Sequence, residues 1–131
     1  MSQNSVTIAR RPNQFSYLAE KRRSDTLALV KARRWGAALY MAGYILECAL
    51  KAVISKLGNG SLPSEMFTHD LSLLRQKLLP HIATEHLPAL QAIPNWSHLQ
   101  RYDCAEPQAS TVLAFINRVD EAHRCLRTYL Q

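Results

Sequence analysis

The stretch Trp35-Gly-Ala-Ala-Leu-Tyr-Met-Ala-Gly-Tyr-Ile-Leu-Glu-Cys-Ala-Leu-Lys-Ala-Val-Ile-Ser-Lys-Leu57 decides the fold. Leu39, Ala42, Leu46, Ala49 and Val53 recur at spacings of 3, 4, 3 and 4, which is the apolar stripe of a helix facing a core. A second stripe, Tyr40, Tyr44, Glu47 and Lys51, is partly polar. The uninterrupted apolar run, Trp35 to Leu46, falls short of the roughly 18 residues that a membrane span needs, so a buried helix is expected and no membrane partner. Gly58-Asn59-Gly60 then terminates the helix.

Working outward, a first helix is predicted from about Gln14 to Arg33. Pro12 precedes it harmlessly, and Phe15, Leu18, Leu29 and Ala32 are its apolar positions. Downstream, residues 61–67 read as a loop around Pro63. Thr68, His69 and Asp70 offer capping atoms to a third helix that carries Leu71, Leu74 and Leu78 and ends near Pro80. Pro88 and Pro94 allow only short helices between residues 81 and 106. The last helix is predicted to begin near Pro107. Ala109, Val112, Ile116, Val119, His123, Leu126 and Leu130 form a continuous seam along it. The expectation is an all-α chain: an antiparallel up-and-down four-helix bundle with a short extra helical connection before the last helix. Residues 1–13 would be a flexible basic arm and residues 14–131 a single domain.

At 131 residues the chain has room for one domain, and four glycines argue against a loop-rich all-β design. Three cysteines, Cys48, Cys104 and Cys125, match neither a disulfide framework nor a zinc site, which predicts a reducing, cytoplasmic setting. The first 14 residues have no apolar core of the secretory type. The net charge of +6 is unevenly placed. Residues 1–34 hold eight Lys/Arg and two acids, Glu20 and Asp25, whereas residues 35–131 hold eight of each. The whole excess therefore lies in the arm and first helix. The cluster Lys21, Arg22, Arg23, Lys31, Arg33 and Arg34 is suited to a phosphate backbone, to an acidic protein partner, or simply to a solvated helix face.

Glu47 and Lys51, four apart, read first as a local ion pair worth about 0.3 kcal/mol. Tyr40 and Tyr44 read as packing residues before a stacking platform. His69, His81, His86, His98 and His123 form no His-x-x-x-His pair, HExxH motif or Cys/His ligand set, so no metal and no cofactor is expected. No GxSxG, P-loop or GxGxxG is present.

Three blocks in order, Arg34 to Ala52, Thr68-His-Asp-Leu-Ser-Leu-Leu74 and Arg101-Tyr102, together resemble the HEPN domain family. With the helix count, the resemblance covers residues 15 to 130. It implies a helical bundle that usually forms a homodimer and often accompanies a small nucleotidyltransferase in toxin–antitoxin or defence-like pairs. It also implies a nucleotide- or nucleic-acid-associated role, and it matches Glu47, Lys51 and Arg101 to the family's Glu-x3-Lys and Arg-Tyr positions. Tyr44, on the same stripe, joins this candidate binding set, and so do the basic residues Arg22, Arg23, Arg33 and Arg34.

Some members of that family are metal-independent ribonucleases with an Arg-x4–6-His motif, which Arg118 and His123 reproduce here. In that chemistry the imidazole moves a proton at the 2′-hydroxyl or leaving oxygen, and the guanidinium stabilises phosphate charge. Arg118 and His123 stand about 140° apart on a continuous helix, and His123 lies on the seam, so catalysis would need a second chain or a local break in the helix. The other readings are a core or dimer-interface histidine with a surface arginine, and a non-catalytic adaptor.

Overall fold

A computed structural model describes residues 7–93 and 96–131, without the side chains of residues 101 and 102. Among these residues every regular element is helical. Helix α1 spans Pro12–Lys31, α2 Trp35–Leu57, α3 Leu71–Leu78, α4 Leu87–Gln91 and α5 Ala109–Arg127. Single 3₁₀ turns at Ser64–Met66, Leu79–His81 and Thr84–His86, and a longer one at His98–Tyr102, fill the connections.

Helix α2 is the axis of the fold and packs against α1, α3, α5 and the His98–Tyr102 turn. Every residue from Ile45 to Ser55 is buried, so this half of the helix is enclosed on all sides. By length and composition α2 could cross a membrane, but 72% of its most apolar window is buried inside the fold. The expected stripe is in place: Ala42, Leu46, Ala49 and Val53 are core residues, with Leu39 half-buried beside them. Val112, Ile116, Val119, His123 and Leu126 of the α5 seam are buried too, joined by Phe115 and Ala122.

The helix ends differ from the sequence expectation, for local reasons. Helix α1 starts two residues early. The Gln14 side-chain oxygen accepts from the backbone N–H groups of Arg10 and Arg11, at 2.9 and 3.1 Å, and Pro12 takes the first turn. The Arg10 carbonyl also accepts from the Leu62 N–H at 2.8 Å, so the inner end of the expected arm is tied to the 61–67 loop. Residues 1–6 of that arm lie outside the described residues.

Helix α1 stops at Lys31 because Arg33 adopts a left-handed backbone, φ 57°. The Arg34 N–H bonds back to the Leu29 carbonyl and the Arg33 N–H to that of Val30, each at 2.9 Å, the pairing of a Schellman turn. A glycine would hold that turn with less strain, since Cβ crowds the carbonyl there. Helix α2 begins with its Gly36 N–H donating 2.9 Å to the Glu106 carboxylate, from 70 residues away. It ends where the Gly60 N–H, at φ +77°, reaches the Ser55 carbonyl. Helix α5 starts at Ala109, so Pro107 stands just outside it instead of in its first turn.

Candidate functional site

Three polar side chains on the enclosed half of α2 must be satisfied without water. Ser55 donates to the Lys51 carbonyl one turn back, at 2.7 Å. Glu47 and Lys51 satisfy each other: Lys51 Nζ donates to Glu47 Oε2 at 3.0 Å, and their side chains are only 6% and 9% exposed. The second carboxylate oxygen, Oε1, takes a hydrogen bond of 2.8 Å from His69 Nδ1, just ahead of α3. A carboxylate only accepts, so Nδ1 carries the proton and Nε2 is left for the surface side. The His69 side chain is 49% exposed. Half of the cluster is therefore sealed and half is presented.

The local Glu47–Lys51 ion pair read from the sequence is present, and of the three capping candidates, Thr68, His69 and Asp70, one takes the role. Asp70 caps α3, accepting from the Ser72 and Leu73 N–H groups at 3.0 and 3.2 Å. His69 turns inward to α2 instead. Loss of one partner of a sealed pair costs about 3–5 kcal/mol, against about 0.3 kcal/mol for a helix-surface pair.

Aromatic rings wall the cluster. Tyr44 meets His69 edge-on at 5.9 Å, Trp96 at 5.0 Å and Tyr40 at 5.1 Å between ring centres. The Tyr40 and Tyr44 hydroxyls lie 3.0 Å apart. The His98 ring stands 4.8 Å from that of His69. Trp96 holds this wall in place: its Nε1–H donates 3.2 Å to the Leu39 carbonyl, and its indole lies across Gly43, where an added Cβ would overlap it. Gly43 is needed because the indole approaches the α2 backbone so closely. The buried Trp96 thus carries the His98–Tyr102 turn onto the Glu47 cluster. Arg101 belongs to this turn; its side chain is outside the described residues. Nothing in the sequence ranked His98 or Trp96 above other residues, since their meaning comes from Gly43, 53 residues earlier.

Cys48, beside Glu47, is a packed thiol. Burial, then the Glu47 charge, pushes it up to about 12, so it is not poised as a nucleophile. Among the described residues no group of three His, Cys, Asp or Glu side chains is arranged for a metal ion.

The other candidates lie elsewhere. His123 is 3% exposed, between α5 and α1. Arg127, a donor only, donates to its Nδ1 at 3.3 Å, which leaves the proton on Nε2, 3.6 Å from Glu20 Oε1. Burial and then the Arg127 charge lower His123 to about 4, so it is neutral near pH 7. Arg118 is exposed on α5 and lines a groove with Leu39, Gln100 and Phe115. Among the described residues the two share no partner and no opening. Of the basic residues, Arg22 pairs with Asp25 at 2.8 Å and Arg23 with Asp120 at 3.2 Å. Arg33 and Arg34 are exposed at the α1–α2 turn.

Compared with family models, curated proteins and solved structures, the chain matches none.

Proposed function

We propose that this is a HEPN-type protein of the cytoplasm in which α1, α2, α3 and α5 form an antiparallel up-and-down four-helix bundle, and that it acts as a nucleotide- or nucleic-acid-associated module. One observation carries the reading. Residues from three separated segments, Glu47 and Lys51, His69, and His98 on the turn that bears Arg101, converge on one half-open cluster.

The chemistry of that cluster suits a flat ring joined to an anion. Lys51 neutralises Glu47, so the sealed pair presents no net negative charge to a phosphate. His69 and His98, packed against the Tyr44 ring, offer ring surface to a base. The homodimer, and a nucleotidyltransferase-type partner in a toxin–antitoxin pair, rest on the resemblance of the 34–52, 68–74 and 101–102 blocks alone. The ribonuclease reading has no comparable support, because the histidine it needs is enclosed and held neutral.

Calorimetry with AMP and UMP tests the proposal. Saturable binding is expected, weakened about tenfold or more in His98→Ala and in Arg101→Gln. Absence of saturable binding of either nucleotide to the folded protein contradicts it.

A further inference from the structure

The Glu47 cluster is one end of a longer feature. Gly36, Tyr40, Tyr44, Glu47 and Lys51 follow one another on α2 at spacings of 4, 4, 3 and 4, a single helix face. A cavity of about 420 Å³ opens over the first part of that face, lined by Gly36, Leu39, Tyr40, Gln100, Asp103 and Glu106. Among the described residues the buried side-chain oxygen of Gln100 in its wall has no hydrogen-bond partner. Tyr40 joins this cavity to the aromatic wall, through Tyr44 at 5.1 Å and Trp96 at 6.2 Å. Beyond Gly36 stands the α1–α2 turn with Lys31, Arg33 and Arg34, all exposed and none in an ion pair with another described residue. From Arg34 to Lys51 the helix runs about 25 Å.

We infer that this face is a track for single-stranded nucleic acid, with the phosphate backbone anchored at Lys31, Arg33 and Arg34 and successive bases laid over Tyr40 and His98. The inference deepens the reading of the Glu47 cluster as a nucleotide site and rests on it. A basic anchor at one end and half-buried rings along the face suit a strand, since its phosphates meet the cations where it enters and every base has a face to stack. Asp103 and Glu106 line one wall of the groove, so that wall takes base or sugar edges and the phosphates run on the opposite side. Glu106 is already engaged with the Gly36 N–H.

Arg33 adds to this. It holds the Schellman turn at φ 57°, where glycine would be less strained, and its side chain is exposed and in no ion pair with another described residue. An exposed arginine at a turn that glycine would hold with less strain is available to a phosphate.

Fluorescence anisotropy with labelled hexauridylate, competed by UMP, tests the track. Hexauridylate is expected to bind at least about tenfold tighter than UMP, with affinity falling steeply as salt rises. Arg33→Gly is expected to raise the Tm and yet weaken hexauridylate by about 3–10-fold, with a smaller loss for UMP; Arg34→Gln should weaken it similarly and flatten the salt slope. A purely structural Arg33 would give the rise in Tm without the loss of binding. If hexauridylate binds no tighter than UMP, or a duplex or polyglutamate binds better than the single strand, the track is overturned while the nucleotide site stands. If neither UMP nor hexauridylate binds, both fall.

Discussion

Two clusters in this molecule are built from the same parts, a histidine, a glutamate and a cation four residues from one of them, and they are wired in opposite senses. In the first, the Glu47 carboxylate is 6% exposed and the imidazole of His69 is 49% exposed. In the second, His123 is 3% exposed and the Glu20 carboxylate 54%. The first seals the anion and presents the ring. The second seals the ring and leaves the anion in water. The cation follows the same logic: Lys51 is enclosed with Glu47, whereas Arg127 bonds Glu20 at 2.9 Å near the surface and donates to His123. Composition does not decide which member of such a group reaches solvent. The identity of the buried member does.

The most severe way to break the contrast is to remove a sealed charge. Lys51→Met should cost about 3–5 kcal/mol in urea denaturation, because Glu47 is then buried with His69 alone. The double variant Glu47→Gln/Lys51→Met should recover part of that loss. A cost below about 1 kcal/mol for Lys51→Met would mean that the pair is solvated and the contrast mistaken.

Next in size is the pH response of the second cluster. His123 is lowered from 6.5 to about 4 in the folded protein. Below pH 6.5 the unfolded chain therefore binds a proton that the folded one refuses. Stability from this group is complete above pH 6.5 and is lost as the pH falls towards 4, by about 3 kcal/mol. Comparing urea unfolding of the parent with His123→Leu at several pH values isolates it: the parent should lose more stability on acidification. Parallel curves for the two proteins would contradict a neutral, enclosed His123.

A third variant sharpens the first cluster alone. Gly43→Ala places a methyl where the Trp96 indole lies, so the ring must move, at about 1–3 kcal/mol. In a Trp35→Phe background, Trp96 fluorescence should shift to the red as the ring becomes wetter. An unshifted spectrum would show that the indole does not rest there. The smallest effect belongs to Glu20→Gln, where an exposed carboxylate is lost. It should cost no more than about 1 kcal/mol, and a larger cost would place Glu20 on the sealed side of the comparison.

Much of the helical framework was legible. The 3-4 spacing of α2 and α5 is a local, repeated signal, and it marks His123 as interior because the histidine occupies a seam position. Glycines and Asp70 punctuate as their chemistry dictates. Less legible was everything set by residues far apart in the chain. An i, i+4 rule sees Glu47 with Lys51 but not that the surrounding helix is enclosed, nor that His69 arrives 22 residues later. The start of α2 is capped by Glu106, 70 residues away, and no local pattern points to it. The basic cluster was visible as a charge run, but which arginines are engaged depended on Asp120, across the α1–α5 contact.

The central claim is that the half-open cluster around Glu47 receives a nucleotide while the closed one around His123 does not. Imidazole resonances of the histidines, followed by NMR as AMP is added, test it most directly. The account predicts saturable shifts at His69 and His98 with His123 unmoved. Shifts at His123 alone, or no shift at His69 and His98 at saturating nucleotide, would contradict it.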